Sequence, residues 1–275
     1  MIINSFSKKL LAAGLVTGFF SLSQGHAQTQ GQGAVPTPPK MTPQMTEFWE
    51  PEPKVVTPGN TPGMAPPSDA IILFDGKNLN QWASVNDPAT PAQWTVGKGE
   101  FTVKKGTGNI QTKQSFLDYQ LHIEWRIPEK IQGSSQGRGN SGLFLSSAGK
   151  GDAGYELQIL DSYNNRTYSN GQAGSIYKES RPLVNAMRKP GEWNVYDVIY
   201  TAPRFKEDGS VFSPAKVTVL HNGVVIQNDT EIRGITDYIG LHSYRVAHGK
   251  TPIKLQDHGD PSEPISFRNI WIREL

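Results

Sequence analysis

The sequence predicts an all-β sandwich of two antiparallel sheets, connected as a jelly roll, on three observations. Between Tyr119 and Ile127 apolar and polar residues alternate strictly, the period of a strand with one face in a core. Short runs rich in β-branched and aromatic residues follow one another, separated by Gly-rich and Asn-Gly turns. Helical periodicity is nearly absent, apart from one candidate turn over Leu183 to Met187 ahead of Pro190-Gly191. The strands are too numerous for an immunoglobulin-like domain of ~100 residues.

From the N-terminus, residues 1–27 read as a secretory signal. Lys8 and Lys9 precede the apolar run Leu10 to Leu22, and Gly25-His26-Ala27 resembles a cleavage site. That run is shorter than the ~20 residues that span a bilayer, so no transmembrane anchor is expected. The expected location is periplasmic or secreted. With no cysteine in the chain, there is neither a lipidated thiol nor a disulfide, and stability must come from core burial. Removal of Lys8 and Lys9 cancels the formal net charge of +2, which gives no reason to expect nucleic acid as a partner.

Half of the 20 prolines fall in residues 28–68, which read as a Pro-rich linker or arm. Phe48-Trp49 within it is read either as docked on the domain or as part of a flexible leader, and an envelope partner for the arm is one possible use. Residues 69–275 are of a length for one β domain. Its strands begin with Ala70 to Phe74, stopped by Asp75-Gly76. Trp94 to Val96 and Glu100 to Val103 flank Gly97-Lys98-Gly99 as a hairpin. In Tyr119 to Ile127 the odd positions face the core and Gln120, His122, Glu124 and Arg126 face water. Further strands are expected over Gly139 to Leu145, Tyr155 to Asp161, Trp193 to Tyr200 and Lys216 to Leu220. The last of these turns through Asn222-Gly223 into Val224 to Gln227, and Tyr238 to His242 and Ile265 to Ile272 complete the set. Trp125 and Trp193 are both expected in the core.

In Tyr155 to Asp161, Tyr155, Leu157 and Ile159 take one face and Glu156 and Gln158 the other. A carboxylate and an amide held side by side on a sheet suit a polyhydroxylated ligand.

Several segments in order carry a resemblance. These are Leu73-Phe74-Asp75-Gly76-Lys77-Asn78-Leu79, Gly139-Asn140-Ser141-Gly142, Tyr155-Glu156-Leu157-Gln158-Ile159-Leu160-Asp161, Gly174-Ser175-Ile176-Tyr177, Pro190-Gly191-Glu192-Trp193-Asn194 and Phe267-Arg268-Asn269-Ile270. Together they resemble the 3-keto-disaccharide hydrolase domain family, long known as a domain of unknown function. The resemblance implies a concanavalin A-like (lectin/glucanase) jelly roll, bacterial export, and action on glucosides or disaccharides oxidised to a ketone at carbon 3. It further implies cleavage by elimination and hydration, with net hydrolysis as the outcome.

An ordinary glycosidase needs two carboxyl groups, and the face of Glu156, Gln158 and Leu160 supplies one. A 3-keto sugar removes the need, because the ketone acidifies the proton on carbon 2. One base, an enolate stabiliser and an acid for the leaving group then suffice. Glu156 is the candidate base, its alternative role being an ion pair with Arg126. Arg126 is the candidate enolate stabiliser and His258 the candidate acid. Gln158 and Asn140 are candidates for binding sugar hydroxyls, although Asn140 between glycines is equally a turn residue. Glu124, Asp161, Tyr177 and Asp257 are further binding candidates, with a surface ion pair for Glu124 and a strand-end cap for Asp161 as the competing readings. A divalent cation, calcium included, remains open, and no metal site is assigned. The competing function is a non-catalytic, lectin-like carbohydrate-binding module.

Overall fold

Apolar alternation and turn chemistry produce two packed antiparallel sheets in the computed structural model, which describes residues 40–55, 65–259, 261 and 264–275. The expected leader at 1–27, residues 28–39 and 56–64 of the arm, and Asp260, Ser262 and Glu263 lie outside the described residues. In chain order the strands begin with β1 (Lys54–Val55), β2 (Ile71–Phe74), β3 (Trp82–Ser84), β4 (Thr95–Gly97) and β5 (Glu100–Thr102). Next come β6 (Ile110–Thr112), β7 (Tyr119–Arg126), β8 (Ser141–Ser147), β9 (Gly154–Ile159), β10 (Val184–Asn185) and β11 (Trp193–Thr201). The last are β12 (Arg204–Phe205), β13 (Val211–Ser213), β14 (Ala215–His221), β15 (Val224–Ile232), β16 (Lys254–Leu255) and β17 (Ser266–Glu274). Helical structure among the described residues is limited to short 3-10 turns at 43–46, 135–137 and 169–171.

One sheet has eight strands, ordered β15-β14-β11-β7-β17-β5-β4 with β2 also paired to β17. The other has five, ordered β3-β6-β16-β8-β9. Between them lies one core that includes Leu121, Ile123 and Trp125 of β7, Leu143 and Leu145 of β8, and Leu157 and Ile159 of β9. Each such side chain contributes about 1.5–3 kcal/mol on burial, so the alternation in these strands decides which faces meet. Two tyrosines stitch the layers together. Tyr119 donates its hydroxyl to the Leu145 carbonyl at 2.7 Å, and Tyr196 donates to the Gln158 carbonyl at 2.8 Å. The second bond fixes the backbone of β9 beside the polar side chains it carries.

The expected turns form as their chemistry requires. Lys98 and Gly99 take left-handed backbone between β4 and β5, as do Asn222 and Gly223 between β14 and β15. Several expectations need correction. Leu183 to Met187 is extended, with β10 in its middle, because Asn185 spends its amide on the Met187 N–H and the Ser162 carbonyl. Tyr238 to His242 is a loop with Tyr238, Ile239 and Leu241 exposed. The polar face of β7 is not wet, since His122 and Glu124 are buried. His122 stacks on Trp271 at 5.2 Å, and Glu124 accepts from Arg268 Nε (2.7 Å) and Asn269 Nδ2 (2.9 Å) where β17 bulges. Trp193 pairs with Arg126 across β11 and β7, which puts it on that outer face and not in the core. There its ring lies between the Arg126 and Arg268 guanidinium groups, at 4.6 and 4.1 Å.

Candidate active site

β9 is the last strand of the five-stranded sheet, and its outer face forms the floor of a cleft. Its unpaired edge is covered by two loops. Tyr177 N–H donates to the Glu156 carbonyl, Gln158 N–H donates to Ser175, and Glu156 N–H donates to Thr236 Oγ1 at 3.0 Å. Covering the edge satisfies the backbone and brings Tyr177 and Thr236 beside Glu156. Glu156, Gln158, Asn140, Tyr177 and His258 line an inner recess of about 310 Å³ together with Asp152, Thr236, Tyr238 and Gln256. An outer groove of about 580 Å³ shares Asn140, Tyr177, Tyr238 and His258 with it.

Within the sheet, Phe144 of β8 pairs with Glu156 on one side and Lys254 on the other, so the three share the cleft face. One step along, Gly142 pairs with Gln158. The missing side chain of Gly142 is what admits the Glu156 carboxylate, since a Cβ there would lie 2.6 Å from Glu156 Oε1. Burial, reinforced by the negative charge of Asp152 and only partly opposed by Lys254, raises the Glu156 pKa to about 8. The group is therefore a far stronger base than a solvated carboxylate. Lys254 is fully buried, with its own pKa lowered to about 8 by burial. It donates to the carbonyls of Gly149, Gly151 and Ala153 at 3.0, 2.8 and 2.8 Å. Its three protons are thereby committed to the turn that holds Asp152, which makes it a positioning residue.

The amides form a connected set. Gln136 accepts from Gln158 Nε2 at 3.1 Å through its Oε1 and from Asn140 Nδ2 at 2.8 Å through its carbonyl. It is itself held by donating to Thr167 Oγ1 and the Gly171 carbonyl. Gln158 Oε1 and Gln256 Oε1 are buried without a hydrogen-bond partner, two acceptors that a ligand hydroxyl would satisfy. Tyr177 and Tyr168 share a hydroxyl contact of 2.6 Å, and burial is the main cause raising both phenol pKa values. Both stay protonated and able to donate. His258 is exposed at the junction of recess and groove.

Four of the expected site residues are not brought to Glu156. Arg126 lies on the other sheet, where it clamps Glu100 at 2.6 and 2.8 Å, so it neither pairs with Glu156 nor reaches the recess. Glu124 is on that same outer face, committed to Arg268 and Asn269. Asp161 is fully buried, caps Tyr163 N–H at 3.1 Å and pairs with Arg138 Nε at 2.7 Å. Asp257 accepts from the Gly106 and Gly108 N–H groups at 2.8 and 3.1 Å, which pins a loop. For Arg126 and Glu124 the reason is layer, since strand alternation shows that two residues share a face but not which sheet owns it, whereas Asp161 and Asp257 follow β9 and β16 of the cleft's own sheet and are spent on local backbone contacts. Asp152, Gln136, Thr236, Tyr238, Lys254 and Gln256 were missed, all but Lys254 from loops or strand ends whose contacts no periodicity encodes. A second carboxylate, Asp152 of the β8–β9 turn, lines the recess with Glu156.

Among the described residues no group of three or more His, Cys, Asp or Glu side chains is arranged to hold a metal ion. Among the described residues no helix is long and apolar enough to cross a membrane.

No curated protein matches the chain. The crystal structure of a candidate glycosyl hydrolase from Parabacteroides distasonis is 61% identical and superposes with a TM-score of 0.73, covering 85% of this chain and 97% of its own. Two further candidate glycosyl hydrolases of that organism are each 21% identical, with TM-scores of 0.53. They cover 75% of this chain and 94% and 99% of their own, a likeness of fold alone. The model of the 3-keto-alpha-glucoside-1,2-lyase-like domain matches residues 69–273, a stretch that holds every residue lining the inner recess, and the chain belongs to that family.

Proposed function

We propose that the cleft cleaves the glycosidic bond of 3-keto-glucosides by proton abstraction at carbon 2. The family and the 61% identical relative support a carbohydrate-active enzyme. The observation that carries the finer reading is the buried Glu156, whose basicity is raised toward that needed to remove a proton next to a ketone. Glu156 takes the carbon-2 proton, the C–H electron pair becomes an enolate, and its collapse expels the group on carbon 1. His258, at the mouth, protonates the departing oxygen. Water then bonds to carbon 1 as it gives a proton back to His258, while Glu156 returns its own proton to carbon 2, so the net reaction is hydrolysis and both groups are restored. Gln158, Gln256 and Tyr177 bind the sugar oxygens and the developing enolate in place of Arg126.

Asp152 favours a second reading. Two carboxyl groups in one recess are the equipment of an ordinary glycosidase, in which Glu156, protonated below about pH 8, acts as the acid. The pH dependence separates the two readings. A base must lose its proton to act, so the Glu156 limb of turnover on a 3-keto-disaccharide rises with pH toward about 8, whereas Glu156 as an acid gives a limb that falls there. Proton NMR of the protein with 3-keto-disaccharides in heavy water is the direct test. Cleavage with deuterium at carbon 2 is expected, and cleavage of unoxidised disaccharides without exchange would replace this reading with the second.

A further inference from the structure

The outer groove is walled on one side by residues 47 and 49, which precede the stretch 69–273 matched by the family model. This part of the arm is held by buried groups of the sandwich. Phe48 N–H donates to Asn170 Oδ1 at 3.0 Å, Asn170 Nδ2 donates to the Thr46 carbonyl at 2.9 Å, and Ser169 donates both N–H and Oγ to the Phe48 carbonyl. Lys178, 3% exposed, donates to the Pro43 carbonyl of the arm at 3.0 Å and to the Tyr238 carbonyl of the opposite loop at 2.8 Å. One buried cation thus fastens two walls of the groove together. Further on, β1 pairs with β10 in parallel. The alignment with the 61% identical relative covers more of this chain than lies after residue 68, so it takes in part of the arm.

This docking places Trp49 edge-on to Tyr168, with ring centroids 6.2 Å apart, and sets the Arg166 guanidinium 5.7 Å from its centre. Trp49 stays 43% exposed and Tyr238 59% exposed on the groove they line. Between them the groove offers aromatic surface, the Glu47 carboxylate and the Gln136 side chain. A few polar groups set among aromatic walls suit a ring that carries both a C–H or π face and hydroxyls. The groove joins the recess at His258, where the bond to carbon 1 would break.

We propose that the arm completes the enzyme by building the subsite for the leaving group, with Trp49 and Glu47 receiving a hydroxylated six-membered ring. The inference rests on the recess being the site of glucoside cleavage. Contacts made away from the reacting bond are used to raise kcat/KM, so the subsite acts as a specificity determinant. A pyranose and a phenol share this chemistry and differ in whether the ring is saturated.

The experiment compares kcat/KM of the full-length protein on methyl 3-keto-glucoside, a 3-keto-disaccharide and a phenyl 3-keto-glucoside. In Trp49→Ala the ratio of disaccharide to methyl glucoside is expected to fall by about tenfold or more. Arg166→Ala, which frees the Trp49 ring, should lower it less, and Glu47→Gln is the companion variant should Trp49→Ala fold poorly. The phenyl arm identifies the ring, since a larger loss there than with the disaccharide points to a phenol. An unchanged ratio overturns the proposal, whether the two rates are untouched or fall together. If the parent cleaves none of the three, the cleavage reading fails separately, and calorimetric titration of unoxidised disaccharides then decides the subsite. Binding weakened by Trp49→Ala upholds it, whereas equal binding or none overturns it.

Discussion

Gly142 and Glu156 show how a single atom position sets the chemistry of the cleft. A methyl group at Gly142 would sit 2.6 Å from Glu156 Oε1 and 3.1 Å from the Phe144 ring, so the carboxylate must turn away. Gly142→Ala is expected to lower kcat by about 100-fold with a stability loss of only about 1–3 kcal/mol, since the strand backbone itself accepts alanine. Near-parent kcat in a folded variant, checked by circular dichroism, would separate the Glu156 position from turnover. Glu156 also leaves a thermodynamic signature. Its pKa is raised from 4.5 to about 8 by burial, so between those values the folded chain holds a proton that the unfolded chain has lost, and stability falls as pH rises through the window. Glu156→Gln carries no such proton. Its stability relative to the parent should grow from pH 5 to pH 9 by a few kcal/mol, as read by urea unfolding. A gap that stays constant with pH would mean that the carboxylate is already solvated in the fold. The sequence made this residue legible because period two alone separates Glu156 and Gln158 from Tyr155, Leu157 and Ile159. It did not reveal Asp152, an exposed residue in a Gly-rich turn whose importance lies only in what the turn faces.

At the scale of elements, β16 matters most and was least legible. It is two residues long, Lys254–Leu255, and a lone lysine beside Ile253 gives no periodic signal. The strand is recognised only through its neighbours β6 and β8, which come from distant parts of the chain. Pairing there turns Lys254 beneath the β8–β9 turn, where three carbonyls replace its hydration. Lys254→Met keeps most of the volume but leaves those carbonyls without their donor. A loss of about 2–4 kcal/mol is expected. Because Asp152 rides on the same turn, the pH midpoint of turnover should shift as well. A variant destabilised with an unmoved midpoint would confine Lys254 to a structural part and detach Asp152 from the tuning of Glu156. The long strands behave differently: β7, β11 and β17 announce themselves by alternation, yet β7 misled about the site. Its charged face meets β17, whose bulge between Arg268 and Trp271 brings Arg268, Asn269 and Trp271 over His122 and Glu124. That network is internally consistent. Burial alone would favour neutral groups, but Asp197 and Glu124 hold His122 up at about 9, and His122, Asn269 and Arg268 hold Glu124 down at about 2. Alternation reports burial and solvent, and a sheet face covered by its own charged neighbours defeats that distinction.

For the whole molecule, the sandwich explains why a ligand cleft forms on the five-stranded sheet. That sheet is short enough for loops from the rest of the chain to rise above its polar face, while the core behind it holds β9 rigid through Tyr196. The arm belongs to the same logic, for it docks on the 168–178 loop that forms one wall, and a Pro-rich composition describes its stiffness without describing that destination. Asn170 is the test of this coupling, being fully buried and hydrogen-bonded to the arm at both ends of its amide. Asn170→Ala removes a donor and an acceptor at once and leaves Phe48 N–H and the Thr46 carbonyl without them, a cost of about 1–3 kcal/mol. If docking is continuous with the fold, thermal unfolding stays a single transition at lower temperature. Limited proteolysis then cuts within residues 40–55 earlier than in the parent, because the freed arm must open before a protease can bind it. Parent-like resistance to cleavage would mean that Lys178 and the β1–β10 pair hold the arm without Asn170. Early cleavage with an unchanged unfolding temperature would instead make the arm a separate, weakly held strap.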